Sequence, residues 1–224
     1  MSHKKVVIVL IGTLDTKLAE CDYIRALLLS KGVDVRVVDV SLRGTVINGS
    51  DVSPGEVAER SGTDLNALHT LSRLDAVEVM IEGASKVIGR WVEKNEVQGV
   101  LGFGGANGTA LATGVMRTLP LGFPKVMVSA MGSGQISHYI GASDIAMISS
   151  VGDLSLNRVT RSVFSSAAGA VLGMSGMEKD SVLDDEKPLV AMTSFGVTQP
   201  CVDMAKSRLE KCGYEVMLFH ASGP

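Results

Sequence analysis

Short apolar runs alternate with longer segments in which apolar residues recur every three or four positions, and this alternation organises most of the chain. Residues 6–11 (Val-Val-Ile-Val-Leu-Ile) form an unbroken aliphatic run of strand length. Residues 16–30 have helical spacing before Gly32, and residues 33–40 are a second run rich in β-branched side chains. That order predicts a β-α-β unit. Residues 41–64 are rich in Gly, Ser and Asp, hold Pro54 and lack a sustained period, so they are expected as a surface excursion with one helical turn near 54–60. Leu74, Val77, Ile81, Ala84, Ile88 and Val92 then draw one apolar stripe down a long helix expected to pack on the sheet.

Further strands are predicted at 99–103, 125–129 and 145–149, with helices at 109–118 and 156–172; the small residues at 165–170 suit close approach to a neighbour. Near-continuous aliphatic strands joined by helices fit parallel strands covered on both faces. A charged stretch ending before Pro188 marks a linker, after which a strand (189–195), a helix (199–212) and a strand (215–220) begin a second unit. The expected architecture is α/β: a doubly wound, mostly parallel Rossmann-like sheet over residues 1–176, a linker at 177–187 and the start of a second Rossmann-like lobe at 188–224. A lone unit of that size does not bury its own faces. The chain is therefore expected to be truncated or completed by a partner chain, and a homodimer is expected.

Composition narrows the function. Among 224 residues, 21 basic and 24 acidic side chains leave a net charge of −3, and no basic run offers a field for a nucleic-acid backbone. No apolar run approaches the ~18 residues of a membrane span, so a cytoplasmic protein without membrane or nucleic-acid partners is expected. Cys21, Cys201 and Cys212 show no paired spacing, and the histidines His3, His69, His138 and His220 show no metal-ligand spacing. Reduced thiols and no metal site are the reading, with His220 a mild site candidate at a strand end.

Candidate chemistry collects in the turns that follow the strands, which in an open parallel sheet all lie at the carboxyl edge. The richest is Gly104-Gly105-Ala106-Asn107-Gly108-Thr109. Glycines admit an anion to the backbone, and a helix start aims N–H groups at it, so phosphate fits. The loop lacks the lysine of a Walker A motif and the last glycine of G-x-G-x-x-G. The first turn adds Thr13, Asp15, Thr16 and Lys17, which offer hydroxyls, a carboxylate for Mg²⁺ and a cation, or simply a helix cap. Asp39 ends the second strand where a dinucleotide fold meets ribose hydroxyls, and Ser129, Gly132, Ser133 and Gly134 form a further anion-binding turn. Ser133 lacks the flanking pattern of a nucleophile elbow.

As an ordered set, Ile-Gly-Thr-Leu-Asp-Thr-Lys, Gly-Phe-Gly-Gly-Ala-Asn-Gly-Thr, Leu-Gly-Phe-Pro-Lys-Val-Met-Val-Ser, Tyr-Ile-Gly-Ala-Ser-Asp-Ile and Phe-Gly-Val-Thr-Gln-Pro-Cys resemble the ATP-binding-domain family of the tomato mosaic virus resistance protein and its bacterial counterparts. The resemblance runs from about Val6 to the end. It implies a two-lobed Rossmann-like protein binding ATP, with a protein partner in the plant member. Ala106 and Asn107 stand where that family usually carries Ser-Gly. The expected function is ATP binding through residues 104–109, with Mg²⁺ as an accompanying ion and no assigned reaction. The alternatives are an enzyme acting on a phosphorylated or carboxylated small molecule such as a sugar acid, and a small-molecule kinase using Asp15, Asp144 or Asp153.

Overall fold

The computed structural model describes residues 5–43, 49–177 and 187–222. In the first unit, five strands, β1 (Val7–Gly12), β2 (Asp34–Asp39), β3 (Gly99–Gly104), β4 (Lys125–Ser129) and β5 (Ala146–Ser149), form one parallel sheet in the order β2-β1-β3-β4-β5. The chain runs outward from β1 to β2 and then returns to β3 on the other side of β1. The β1–β3 boundary is thus the topological switch point, where the loops diverge and leave a crevice at the carboxyl edge.

Alternation along β1 sorts its side chains. Ile8 and Leu10 join Leu14, Ile24 and Leu28 of α1 (Leu14–Ser30) and Phe164, Ala167 and Val171 of α7 (Arg158–Gly176) on one face. Val9 and Ile11 join Val57 of α2 (Pro54–Arg60), Met80 and Ile88 of α4 (Arg73–Glu93) and Leu111 and Val115 of α5 (Ala106–Met116) on the other. Both faces are therefore covered, which explains the unbroken aliphatic runs. Cys21 belongs to the first of these cores, and burial, with the charge of Asp22 beside it, pushes its thiol up to about 12. It is a reduced core side chain.

Two expectations are corrected. The segment between β2 and α4 is not merely a surface excursion: α2 buries Val57 and Ala58, and a further helix, α3 (Leu65–Thr70), buries Leu68. The apolar stripe of α4 lies largely as expected, with Val77, Ile81 and Val92 packed against the core, but Leu74 leaves it. Ala76, Met80, Gly83, Ala84 and Ile88 are buried, whereas Leu74 is 78% exposed. α4 packs closely on α2. A Cβ at Gly83 would stand 1.9 Å from the Val57 carbonyl oxygen, so only glycine lets the two backbones touch there. The small helix α6 (Ser137–Ile140) sits between β4 and β5.

At the opposite, amino edge of the sheet, the fully buried Lys125 donates to the Pro120 carbonyl and pairs with Asp144 at 2.6 Å, while the second Asp144 oxygen accepts the Gly122 N–H. Burial raises the Asp144 carboxyl, but the bonds from Lys125 and Gly122 outweigh it and hold the group below its ordinary value.

The second unit is a β-α-β element of two parallel strands, β6 (Leu189–Ser194) and β7 (Glu215–His220), connected through a 3-10 turn at Gly196–Thr198 and α8 (Gln199–Lys211). Val202 is its buried aliphatic side chain, while Val197, Met204 and Leu189 are exposed.

Two stability outcomes are expected. Gly83→Ala should force α2 and α4 apart and lower stability by about 1–3 kcal/mol, read as a lower urea midpoint. Asp144→Asn should lower stability at neutral pH by about 1–3 kcal/mol, less than a fully buried pair because Asp144 is 41% exposed. A carboxyl held low in the folded state adds stability above its unfolded value of ~3.9, lost as pH falls through the folded value. The gap between wild type and Asp144→Asn should therefore close in urea titrations below that range; a gap independent of pH would remove the ion pair from the account.

Candidate functional site

Two helices begin side by side at the switch point, α1 after β1 and α5 after β3. Each start exposes N–H groups that have no partner within their helix. For α1, the fold supplies partners. Asp39 Oδ1 accepts the Leu14 N–H at 3.1 Å, Ser41 Oγ accepts the Asp15 N–H at 3.2 Å, and the Thr13 carbonyl accepts from Thr16 and Lys17. Ser41 in turn donates to Asp39 from both its N–H and its hydroxyl.

The start of α5 is different. Its cap residue is Gly105, without a side chain to accept a bond, and the first recorded turn of bonding runs from the Thr109 N–H to the Gly105 carbonyl at 2.8 Å. The N–H groups ahead of Thr109 are the open donors of this helix, at the positive end of its dipole.

The glycines of this segment have separate duties. A Cβ at Gly102 would meet Ala112 and Met127, and one at Gly104 would stand 2.6 Å from the Gly108 Cα, so these two are required by packing. A Cβ at Gly105 would meet nothing within 4 Å. With φ of −72°, Gly105 also has no backbone requirement for glycine. The space that its missing side chain leaves is open toward the cleft.

That cleft has a volume of about 1010 Å³. Thr13, Asp15, Thr16 and Lys17 from the β1 turn and Gly105, Ala106, Asn107 and Gly108 from the β3 turn line it together, bringing two separately identified candidate segments into one site. The rest of the lining was not legible in the sequence: Leu42 and Arg43 after β2, Leu68, His69 and Leu71 around α3, Arg73 and Ala76 of α4, and Leu111 of α5. Three cationic side chains, Lys17, Arg43 and Arg73, face one lining carboxylate, Asp15. Lys17 also lies 3.9 Å from the buried carboxylate of Glu20.

Other candidates lie outside this lining. Asp39 is fully buried and its Oδ1 is committed to Leu14 and Ser41, so a ribose hydroxyl does not reach it; the strand-end carboxylate is a helix cap. Burial raises its carboxyl, against the lowering effect of the Ser41 and Leu14 bonds, and the second oxygen has no hydrogen-bond partner. Thr109 is likewise turned inward: its hydroxyl lies 2.7 Å from that of Ser129 and 3.2 Å from the Gly104 carbonyl. Gly104 and Ser129 are buried with it. A Cβ at Gly132 would press on the Ser149 backbone, and Ser133 and Gly134 are exposed on the β4 turn without reaching the cleft lining. Asp144 is held at the amino edge by Lys125, and Asp153 is occupied in part by the Leu154 N–H. Among the described residues no group of three or more His, Cys, Asp and Glu side chains is placed to hold a metal, and no helix is long and apolar enough to cross a membrane.

Comparison with known proteins agrees with the sequence resemblance. Residues 6–180 match the N-terminal domain, and residues 187–224 the C-terminal domain, of the Uncharacterised protein family (UPF0261). A UPF0261 protein of Clostridium tetani is 39% identical over 223 residues, covering 99% of this chain and 54% of its own length. One from Rhizobium meliloti is 37% identical over 218 residues, covering 96% and 53%. The ToMV resistance protein Tm-1(GCR237) of Solanum lycopersicum is 35% identical over 241 residues, covering 95% of this chain and 31% of that protein. The chain thus spans about half the length of its bacterial relatives. Among solved structures, a putative UDP-N-acetylglucosamine 2-epimerase from Listeria monocytogenes shares 10% identity at a TM-score of 0.38, covering 97% of this chain and 62% of that one, a likeness too slight to bear on chemistry. The ordered motifs, both domain matches and relatives aligned along nearly the whole chain lead to one conclusion: the chain belongs to the UPF0261 family.

Proposed function

We propose that this chain binds a nucleotide, ATP in the first instance, with a phosphate group seated on the open N–H groups of residues 105–108. The observation that supports this reading most is the contrast between the two helix starts. Asp39 and Ser41 cap α1, whereas α5 begins at an uncapped glycine whose side-chain space is empty and faces the cleft. An anion at that point completes the helix in the way a capping side chain otherwise would.

The rest of the lining suits the remainder of such a ligand. Leu42, Leu68, Leu71 and Leu111 offer an apolar wall for a base or sugar face, and Thr13 and Thr16 offer hydroxyls. Their own hydroxyl oxygens are 3.3 Å apart, a loose contact that a ligand oxygen can replace. Mg²⁺ enters such sites with the phosphates and one or two carboxylates, a role that Asp15 fits. A carboxylate at Asp15, with no second acid in the lining, favours binding over phosphoryl transfer as the reading.

The competing reading, an enzyme for a small phosphorylated or carboxylated acid, draws on the same excess of cations. Thermal-shift competition between Mg-ATP and small phosphorylated acids separates the two: protection by the acids alone would replace the nucleotide.

Calorimetry on variants of the glycine segment tests the seat. Gly105→Val should fold, because its Cβ meets open space, and should lose Mg-ATP binding by obstructing the anion. Asn107→Gly should bind as well as wild type or better. Thr109→Ala should cost about 0.5–1.5 kcal/mol of stability through the lost bond to Ser129, with affinity little changed. Equal affinity in wild type and folded Gly105→Val would move the ligand elsewhere.

A further inference from the structure

We propose that Arg43 and Arg73 form a second anion subsite in the switch-point cleft, so that its ligand class is a polyphosphate chain, as in a nucleoside di- or triphosphate, rather than a single phosphate. The proposal rests on the reading of residues 105–108 as the first phosphate seat and extends it to two arginines of the same lining.

Both arginines line the same cleft as the glycine segment, yet they come from distant parts of the chain. Arg43 follows β2 and Arg73 opens α4. Some arginines of this unit are held within the fold. Arg36 pairs with Glu96 at 2.9 Å and lies over the Trp91 ring, Arg25 donates to the Gly49 carbonyl, and Arg161 lies over Tyr23. Among the described residues neither Arg43 nor Arg73 is recorded in an ion pair or a hydrogen bond, so both guanidinium groups are available. Among the described residues Arg60, Arg90 and Arg158 make no side-chain hydrogen bond or ion pair either; Arg43 and Arg73 differ from these three in lining the cleft.

The position of Arg73 sharpens the point. It is the first residue of α4, directly after the Ser72 cap, where the helix dipole disfavours a cation. Helix stability therefore gives no reason for arginine at this place, while a ligand anion in the cleft does. The same lining includes Leu68, Ala76 and Leu111, all buried, and Leu71. An apolar strip of this kind lowers the local dielectric and strengthens a guanidinium–phosphate contact. Asp15 opposes an anion in the same cleft, and Lys17 is shared with Glu20 at 3.9 Å, so Arg43 and Arg73 are the cations that outweigh it. The volume of about 1010 Å³ is that of a site for an extended ligand and leaves a single phosphate in contact with one wall only.

Chain length is the discriminating variable, and inorganic anions test it without a nucleoside. Orthophosphate, pyrophosphate and tripolyphosphate are titrated at fixed ionic strength into wild type, Gly105→Val and an Arg43→Gln/Arg73→Gln double variant, with folding checked by circular dichroism. Wild type should gain about tenfold or more in affinity from orthophosphate to tripolyphosphate, the scale of an added charge-assisted bond. The arginine variant should lose that gain while its orthophosphate affinity stays within about twofold of wild type. A length dependence that survives in the arginine variant, or an equal loss for all three anions, overturns the subsite. If Gly105→Val still abolishes binding in either case, the first seat stands and only the subsite falls. Wild type that binds none of the three removes both.

Discussion

The rest of the site depends on a shortage of hydrogen-bond acceptors at one point of the sheet. Parallel strands joined by helices bring the starts of α1 and α5 together at the β1–β3 boundary, and every helix start presents N–H groups that need a partner. The fold answers this demand once, by turning the end of β2 so that Asp39 and Ser41 reach the first N–H groups of α1. It does not answer it a second time. Gly105 brings no acceptor, and the unanswered demand of α5 becomes a capacity for an external anion.

This arrangement needs close packing around it. Gly12 leaves room for the Phe103 ring, which would otherwise overlap a Cβ at 2.4 Å, so β1 and β3 can carry their turns at matched height. Gly104 lets α5 fold back at once, with the Gly108 Cα where a side chain would stand. Thr109 and Ser129 then tie the helix to the neighbouring strand end through their hydroxyls. The hydroxyls of this stretch thus hold the loop in shape, and the proposed anion seat is made of backbone groups at 105–108.

The strands and major helices were legible because a sheet covered on both faces demands unbroken aliphatic runs, and these are local features of the chain. The two glycine and hydroxyl turns were legible for the same reason, since parallel topology alone sends them to one edge. What was hidden depended on distance in the sequence. Asp39 was correctly placed at a strand end, but its partner is Leu14, 25 residues away, and no local pattern announces a carboxylate that caps a preceding helix. The close contact of Gly83 with Val57 was hidden too, and Leu74, expected in the apolar stripe, is exposed. Arg43 falls in the segment 41–64 without sustained period, and His69 and Arg73 fall between it and the stripe that begins at Leu74, so nothing short of the fold brings them to the cleft.

That excursion makes the cleft more than a generic crevice. An open α/β sheet offers a shallow site at its switch point in any case, but here α3 and the start of α4 raise a wall over it, anchored by Leu68 in the core. The anchoring matters for specificity, because a wall fixed at a buried leucine holds its exposed arginine at a defined place instead of on a free loop. In the proposed reading the β-strand edge sets where an anion sits, and the helical insertion sets what else the ligand must carry. Among proteins that share the sheet, differences in ligand are accordingly expected to follow this insertion more than the glycine turn, whose geometry is largely imposed by packing.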